Sequence, residues 1–359
     1  MSTISLAMIV KNEEAVLERC LRSCKGIFDE IIIVDTGSTD STKQIAKKFT
    51  NKVYDFVWAD DFSLARNFSF TKCTCDYIMW LDADDVISKS NNLKLKKLKQ
   101  NLKQFDTVMI KYNVSFDENK KPTFSFYRER ILKNDGSFVW HDPVHEVITP
   151  HGNIFYANIS VDHMKVNKIK KQNRNLKIYQ NLIRQKVKLS ARQQYYYARE
   201  LMFNFKYKKA IKEFNKFLKM PNAFKENLIG ATKDLSYCYL KLNCFKQAKN
   251  ILIQSFNYDL PRADICCRLG DIFLYENNYQ QSIFWYEIAL KNKPDIKSGA
   301  FVEWQYFTTY PCLQLCVCYY KINNFKKAIC YNNKAGKFDK TNKYYLNNLK
   351  FFKTKKDAV

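Results

Sequence analysis

Residues 77–85, Tyr77-Ile78-Met79-Trp80-Leu81-Asp82-Ala83-Asp84-Asp85, decide how this chain reads. Five consecutive apolar residues bounded by charge predict a short strand buried on both faces. The strand runs straight into a D-x-D with a third acid behind it. Carboxylates crowded in this way repel one another unless a cation sits among them. A hard divalent ion, Mn or Mg, bridging to a diphosphate would answer both sets of charge. In doubly wound sheets ligands gather at the carboxyl ends of strands, where these acids fall. D-x-D alone is common, and a solvated acidic turn capping a helix near Ser88 accounts for the same residues.

The same alternation extends outward. Ile4–Val10 is an apolar, β-branched run. Asn12 follows at a predicted cap, with Glu13 and Glu14 in the first helical turn, where the helix dipole favours carboxylates. Residues 31–34 form a second buried strand that ends in Asp35-Thr36-Gly37-Ser38-Thr39-Asp40, a turn and cap signal. Further strands are predicted over residues 53–56, 107–112, 123–128, 138–140 and 154–161. Short apolar strands alternating with helices predict an α/β domain with a Rossmann-like, mostly parallel sheet covered on both faces. Asp35 then ends one strand as Asp82 ends another, which strengthens the cation reading. All four His, at 141, 145, 151 and 163, lie in one short region rich in acids. A ring nitrogen there could complete a metal site begun by Asp84.

Beyond residue 190 the chain repeats. The aromatic after each short turn, Tyr207, Phe245, Tyr279 and Phe325, anchors four units spaced 38, 34 and 46 residues apart. Three residues on stand Ala210, Ala248, Ser282 and Ala328; nine back stand Ala198, Ser236, Gly270 and Cys316. Small residues let paired helices approach, and large ones at other fixed offsets fill the gaps. The columns predict an all-α, tetratricopeptide-like solenoid. The domain plan is residues 1–165 for the α/β half, 166–189 for a basic linker helix and 190–352 for the repeats.

Residues 1–163 hold 22 Lys+Arg against 22 Asp+Glu, and residues 164–359 hold 38 against 13, so the second half carries the whole net charge of +25. The segment 164–189 reads as a solvated bridging helix or a peripheral contact with an anionic membrane. No recognition motif supports nucleic-acid binding. No apolar run is long enough to span a membrane, and the start of the chain reads as a strand rather than a leader. Twelve Cys without a C-x-x-C pair predict reduced, buried thiols in a cytoplasmic protein.

"ISLAMIVKNEEAVLERCL", "EIIIVDTGSTDST", "DDFSLARNFSF", "YIMWLDADD" and "VHE" together resemble the family-2 glycosyltransferases of the GT-A fold. More narrowly they resemble the bacterial subgroup with C-terminal tetratricopeptide-like helices. That subgroup includes sublancin-type peptide glycosyltransferases and enzymes similar to lipopolysaccharide-core glucosyltransferases. The resemblance implies an inverting hexose transfer from a nucleotide-sugar, a UDP-sugar above all, with Mn or Mg, to a peptide, protein or glycan. It implies that Val10, Asn12 and Glu13 line the nucleoside pocket and that Asp35 takes the base. Arg66 and Asn67 would hold the nucleotide, Asp82 would contact ribose or diphosphate, and Arg130 would neutralise the diphosphate. Asp84 would ligate the metal with His163, or else His145, as partner. Glu146, or else Asp142, would deprotonate the acceptor. The repeats would offer a concave face to the acceptor or form a homodimer interface. Two alternatives stay open: a repeat-based adaptor with a decayed catalytic half, and a GT-A-like nucleotidyltransferase. The second is disfavoured by the Gly-free Lys11-Asn12-Glu13-Glu14 after the first strand.

Overall fold

The computed structural model describes residues 2–166 and 173–356. Contacts divide the chain into two compact units, Met1–Val187 and Lys188–Val359. The first unit runs β1 (Ile4–Val10), α1 (Leu17–Ser23), β2 (Glu30–Asp35), α2 (Thr42–Lys47), β3 (Val53–Asp55), α3 (Phe62–Phe70), β4 (Tyr77–Trp80), β5 (Asp85–Val86), α4 (Lys89–Lys99), β6 (Thr107–Phe116), β7 (Pro122–Lys133), β8 (Ile154–His163) and α5 (Arg174–Arg184).

The strands line up in the order β3-β2-β1-β4-β7-β6-β8-β5. The first four are mutually parallel. Beyond β4 the direction mixes: β7 is antiparallel to β4 and β6, β8 is parallel to β6, and β5 is antiparallel to β8. The sheet is therefore half parallel and half mixed. Continuous apolar runs are needed because both faces are covered. Ile4, Leu6, Met8 and Val10 of β1 point into one core with Met79 and Ile33. Ala7 points into the other with Ile32, Val34, Ile78 and Trp80.

Three local expectations change. Residues 138–140 are not a strand. The Asn67 side-chain amide takes up the backbone of Trp140, accepting from its N–H at 2.8 Å and donating to its carbonyl at 3.0 Å. A side chain thus does what a neighbouring strand would do. The helix after β1 starts at Leu17, not beside Asn12, because Asn12 adopts a left-handed φ of 55°. The helix within 166–189 is Arg174–Arg184, whose Leu176, Ile178 and Tyr179 are buried in the first unit. Residues 167–172 of that segment lie outside the described residues.

In the second unit the helices pair: α6 (Ala191–Phe203) with α7 (Tyr207–Phe217), α8 (Lys225–Lys241) with α9 (Phe245–Gln254), α10 (Ala263–Tyr275) with α11 (Tyr279–Lys291), and α12 (Thr309–Lys321) with α13 (Phe325–Phe338), followed by α14 (Lys343–Lys356). Each anchor aromatic is the first residue of a second helix. Ala210, Ala248, Ser282 and Ala328 are all fully buried. At Gly270 the approach leaves no room for a side chain, since a Cβ there would stand 2.6 Å from the Tyr286 ring. Each turn is built alike. A left-handed residue lies two before the anchor, at Phe205, Asn243, Asn277 and Asn323. The next N–H then closes on a carbonyl of the preceding helix, as in Cys244 to Tyr239 at 2.9 Å and Asn324 to Tyr319 at 2.8 Å. That turn column was legible in the sequence as a recurring Asn, broken only by Phe205. All twelve Cys are free thiols. Among the described residues no helix is long and apolar enough to cross a membrane.

Candidate active site

Parallel pairing brings the ends of three strands to one edge. Val10 is registered with Asp35, and Ala7 with Trp80, so the turns after β1, β2 and β4 open side by side. At the end of β2, Asp35 is 1% exposed. Its Oδ1 accepts from the N–H groups of Gly37 (2.9 Å) and Ser38 (2.8 Å). Its Oδ2 is buried without a hydrogen-bond partner. A carboxylate oxygen left so is costly and marks a place for a donor from outside the chain. Asn12 and Glu13 wall this turn: Asn12 Oδ1 accepts from Thr39 N–H at 2.8 Å, and the Glu13 N–H donates to Thr42 Oγ1 at 2.7 Å. The Val10 carbonyl accepts from Thr36 N–H at 2.9 Å.

At the end of β4 the acids converge. The short β5–β8 pairing sets Asp85 directly opposite His163. Asp85 is fully buried and almost fully bonded. Its Oδ2 accepts from Arg130 Nη1 and from Asp82 N–H, both at 3.0 Å, and its Oδ1 accepts from Tyr112 OH at 2.9 Å. His163 Nδ1 lies 3.1 Å from Asp84 and 3.3 Å from Asp85. Ligand atoms of Asp82, Asp85 and His163 come within 4.8 Å of one another. Two carboxylates and an imidazole suit a hard, oxygen-seeking ion, and Asp84 adds a third acid beside His163. Asp85, its oxygens already taken, holds the others in place. His145, in the loop after Trp140, is not part of this group.

Charge in the cluster is balanced from inside. With no ion in the cluster, burial alone would lower the His163 imidazole, but the Asp84 and Asp85 carboxylates outweigh it and push the ring up to about 9, so an ion ligated there must displace that proton. Burial would raise the Asp82 carboxyl, yet the guanidinium groups of Arg66 and Arg130 hold it well below the usual carboxylate range.

Arg130 corrects an expectation. It is fully buried, with its guanidinium 3.7 Å from the Trp80 ring centre and 4.3 Å from Tyr112. With no exposed surface it is placed as the counter-charge of Asp85 rather than as an open cation, and aromatic faces cover its remaining N–H groups. Arg66 is also buried, 7% exposed, between Trp80 and Trp140. Its Nη2 donates to Asp82 Oδ1 at 2.7 Å and its Nε to Glu146 Oε1 at 2.8 Å. Arg66 therefore ties the acid cluster to Glu146. Asn67, with its amide bonded to the Trp140 backbone, shapes the loop.

That loop carries both base candidates. A bridge between His141 and Val147 closes it, with N–H to carbonyl bonds of 2.9 and 3.0 Å in the two directions. Asp142 and His145 are left-handed, with φ of 72° and 56°, on either side of buried Val144. Phe62 N–H fixes the Pro143 carbonyl at 2.8 Å. So constrained, the loop delivers Glu146 to Arg66, with the side chain 15% exposed. The structure brings together Asp82, Asp84, His163, Arg66 and Glu146. Sequence reasoning missed Asp85 and Tyr112; the signal available for Asp85 was a third acid after the strand.

Residues 5–151 match the family described as glycosyl transferase family 2, so the first unit carries a glycosyl transferase family 2 domain, and a tetratricopeptide-like helical unit follows it. A TPR repeat-containing protein of Synechococcus elongatus is 35% identical over 149 residues, covering 41% of this chain and 36% of that protein. The SPbeta prophage-derived glycosyltransferase SunS of Bacillus subtilis is 33% identical over 195 residues, covering 51% and 45%. The chain thus spans less than half the length of these curated relatives. Among solved structures, YrrB, a TPR protein with an unusual peptide-binding site, aligns at 16% identity over 51% of this chain and 85% of its own, with a TM-score of 0.39.

Proposed function

We propose that this protein is an inverting glycosyltransferase. It moves a hexose from a nucleotide-sugar, UDP-linked above all, to a peptide, protein or glycan, with Mn or Mg. The observation that carries this reading is the pairing, on one sheet edge, of the orphaned Asp35 Oδ2 with the acid–imidazole cluster after β4. The Asp35 oxygen suits the imide N–H of a pyrimidine base. Asp84 and His163 would hold the ion, with Asp82 beside them. When bound, such an ion supplies positive charge to the diphosphate of the departing nucleotide. Glu146 is the acid placed to take the acceptor's proton: one oxygen is fixed by Arg66, and the other makes no hydrogen bond among the described residues. Asp142 is the second choice.

A panel of nucleotide-sugars with and without manganese, read by nucleoside diphosphate release, tests the reading. One donor is expected to be consumed only with the ion, and Asp84→Ala to abolish its consumption. A folded sample that consumes no donor and binds no nucleotide overturns it.

A further inference from the structure

We propose that the exposed edge of the first helical pair, residues 203–219, docks the protein on an anionic lipid bilayer. Of four equivalent turns, three place Asn in the left-handed position, and the first places Phe205 there at φ 59°. Asn tolerates that conformation because its short polar side chain bonds locally; a bulky aromatic is strained in it. Packing does not compensate. Phe205 is 75% exposed and Phe203 is 55% exposed. The Phe205 ring meets Tyr207 only at a 6.4 Å centroid distance. Strain kept at an exposed position points to something outside the fold that the ring meets.

The charge beside it says what that is. Lys206, Lys208 and Lys209 follow at once, and with Phe205, Tyr207 and Leu242 they line a shallow open hollow. Lys212 and Lys216 continue down the exposed side of α7 and Lys219 follows in the turn after it, while Ala210, Phe214 and Phe217 bury the other side. The one acid in 203–219 is Glu213, whose carboxylate already accepts from Gln194 Nε2 at 2.9 Å. Every cation here is Lys and none is Arg. Point charges on flexible stems suit a diffuse field of lipid phosphates, whereas a fixed carboxylate on a protein partner favours the guanidinium fork. Protruding aromatics at one end of a basic helix face are the pattern of an interfacial element.

Sedimentation of the full chain with phosphatidylcholine vesicles, with and without phosphatidylglycerol, tests this. Binding is expected only to the anionic vesicles and is expected to fall with added salt. Replacing Lys206, Lys208 and Lys209 by Gln lowers the partition coefficient on the order of 100-fold, since each surface lysine contributes about 1 kcal/mol. Phe205→Asn is the sharper variant. It installs the residue of the other turns, so Tm stays level or rises while binding drops several-fold. A Phe205→Asn protein that binds as well as its parent overturns the proposal. So does a parent that ignores anionic vesicles yet binds polyglutamate, which would assign the patch to an acidic protein.

Discussion

Two carboxylates in the first unit are each gripped by a buried arginine, and they differ in what is left over. Asp85 has no exposed surface and spends both oxygens on Arg130, Tyr112 and the Asp82 backbone. Glu146 keeps 15% of its side chain exposed and spends one oxygen on Arg66. Identical chemistry is sorted by burial into a carboxylate that is fully held and one that keeps an oxygen for the role proposed above. The lesson is that an acid's partners, more than its place in a motif, tell which kind it is.

Removing each grip tests that distinction. The largest effect is expected at Glu146. Glu146→Gln keeps an oxygen for Arg66, so Tm should hold, while transfer falls on the order of 10²–10⁴-fold at unchanged donor KM. Unchanged transfer would move the base to Asp142 and break the comparison. Next comes Arg130→Met, which strands the Asp85 charge in the core and should cost about 3–5 kcal/mol in urea unfolding. Adding Asp85→Asn should restore part of that loss, and no restoration would mean Arg130 acts through its ring contacts alone.

The smallest effect is on pH dependence. Glu30, 8% exposed, accepts from Lys52, Ser5 and Thr74. Burial would raise its carboxyl, but those bonds bring it from 4.5 down to about 2. A carboxyl depressed on folding stabilises the protein above the unfolded value, and that contribution fades as pH falls from 4.5 toward 2. Glu30→Gln should lower Tm at neutral pH, with the gap closing over that range. A gap independent of pH would show that Glu30 contributes shape rather than charge.

The elements that sequence predicts well are those whose physics is local. β1 and β2 were visible as apolar runs, and the repeat columns marked the first residue of every second helix. What escaped depends on partners distant in the chain. Residues 138–140 look like a strand until Asn67 supplies the hydrogen bonds. Arg130 looks like a surface cation until β7 carries it under Trp80. Asp85 looks redundant until the β5–β8 register sets it opposite His163. The acids of the site were legible because they cluster in sequence, but what holds each one was not, since it rests on side-chain pairings 16 to 80 residues apart.

Trp80 offers a way to watch this site. Arg66, Arg128 and Arg130 all lie within 5.0 Å of its ring centre, and Trp140 stands 4.9 Å away. An indole wrapped in cations is sensitive to their displacement, so its emission should change colour when a ligand draws Arg66 off Asp82. Read against a Trp80→Phe control, which separates its share from that of the other four indoles, the shift would report a bound ligand without a label or a known acceptor.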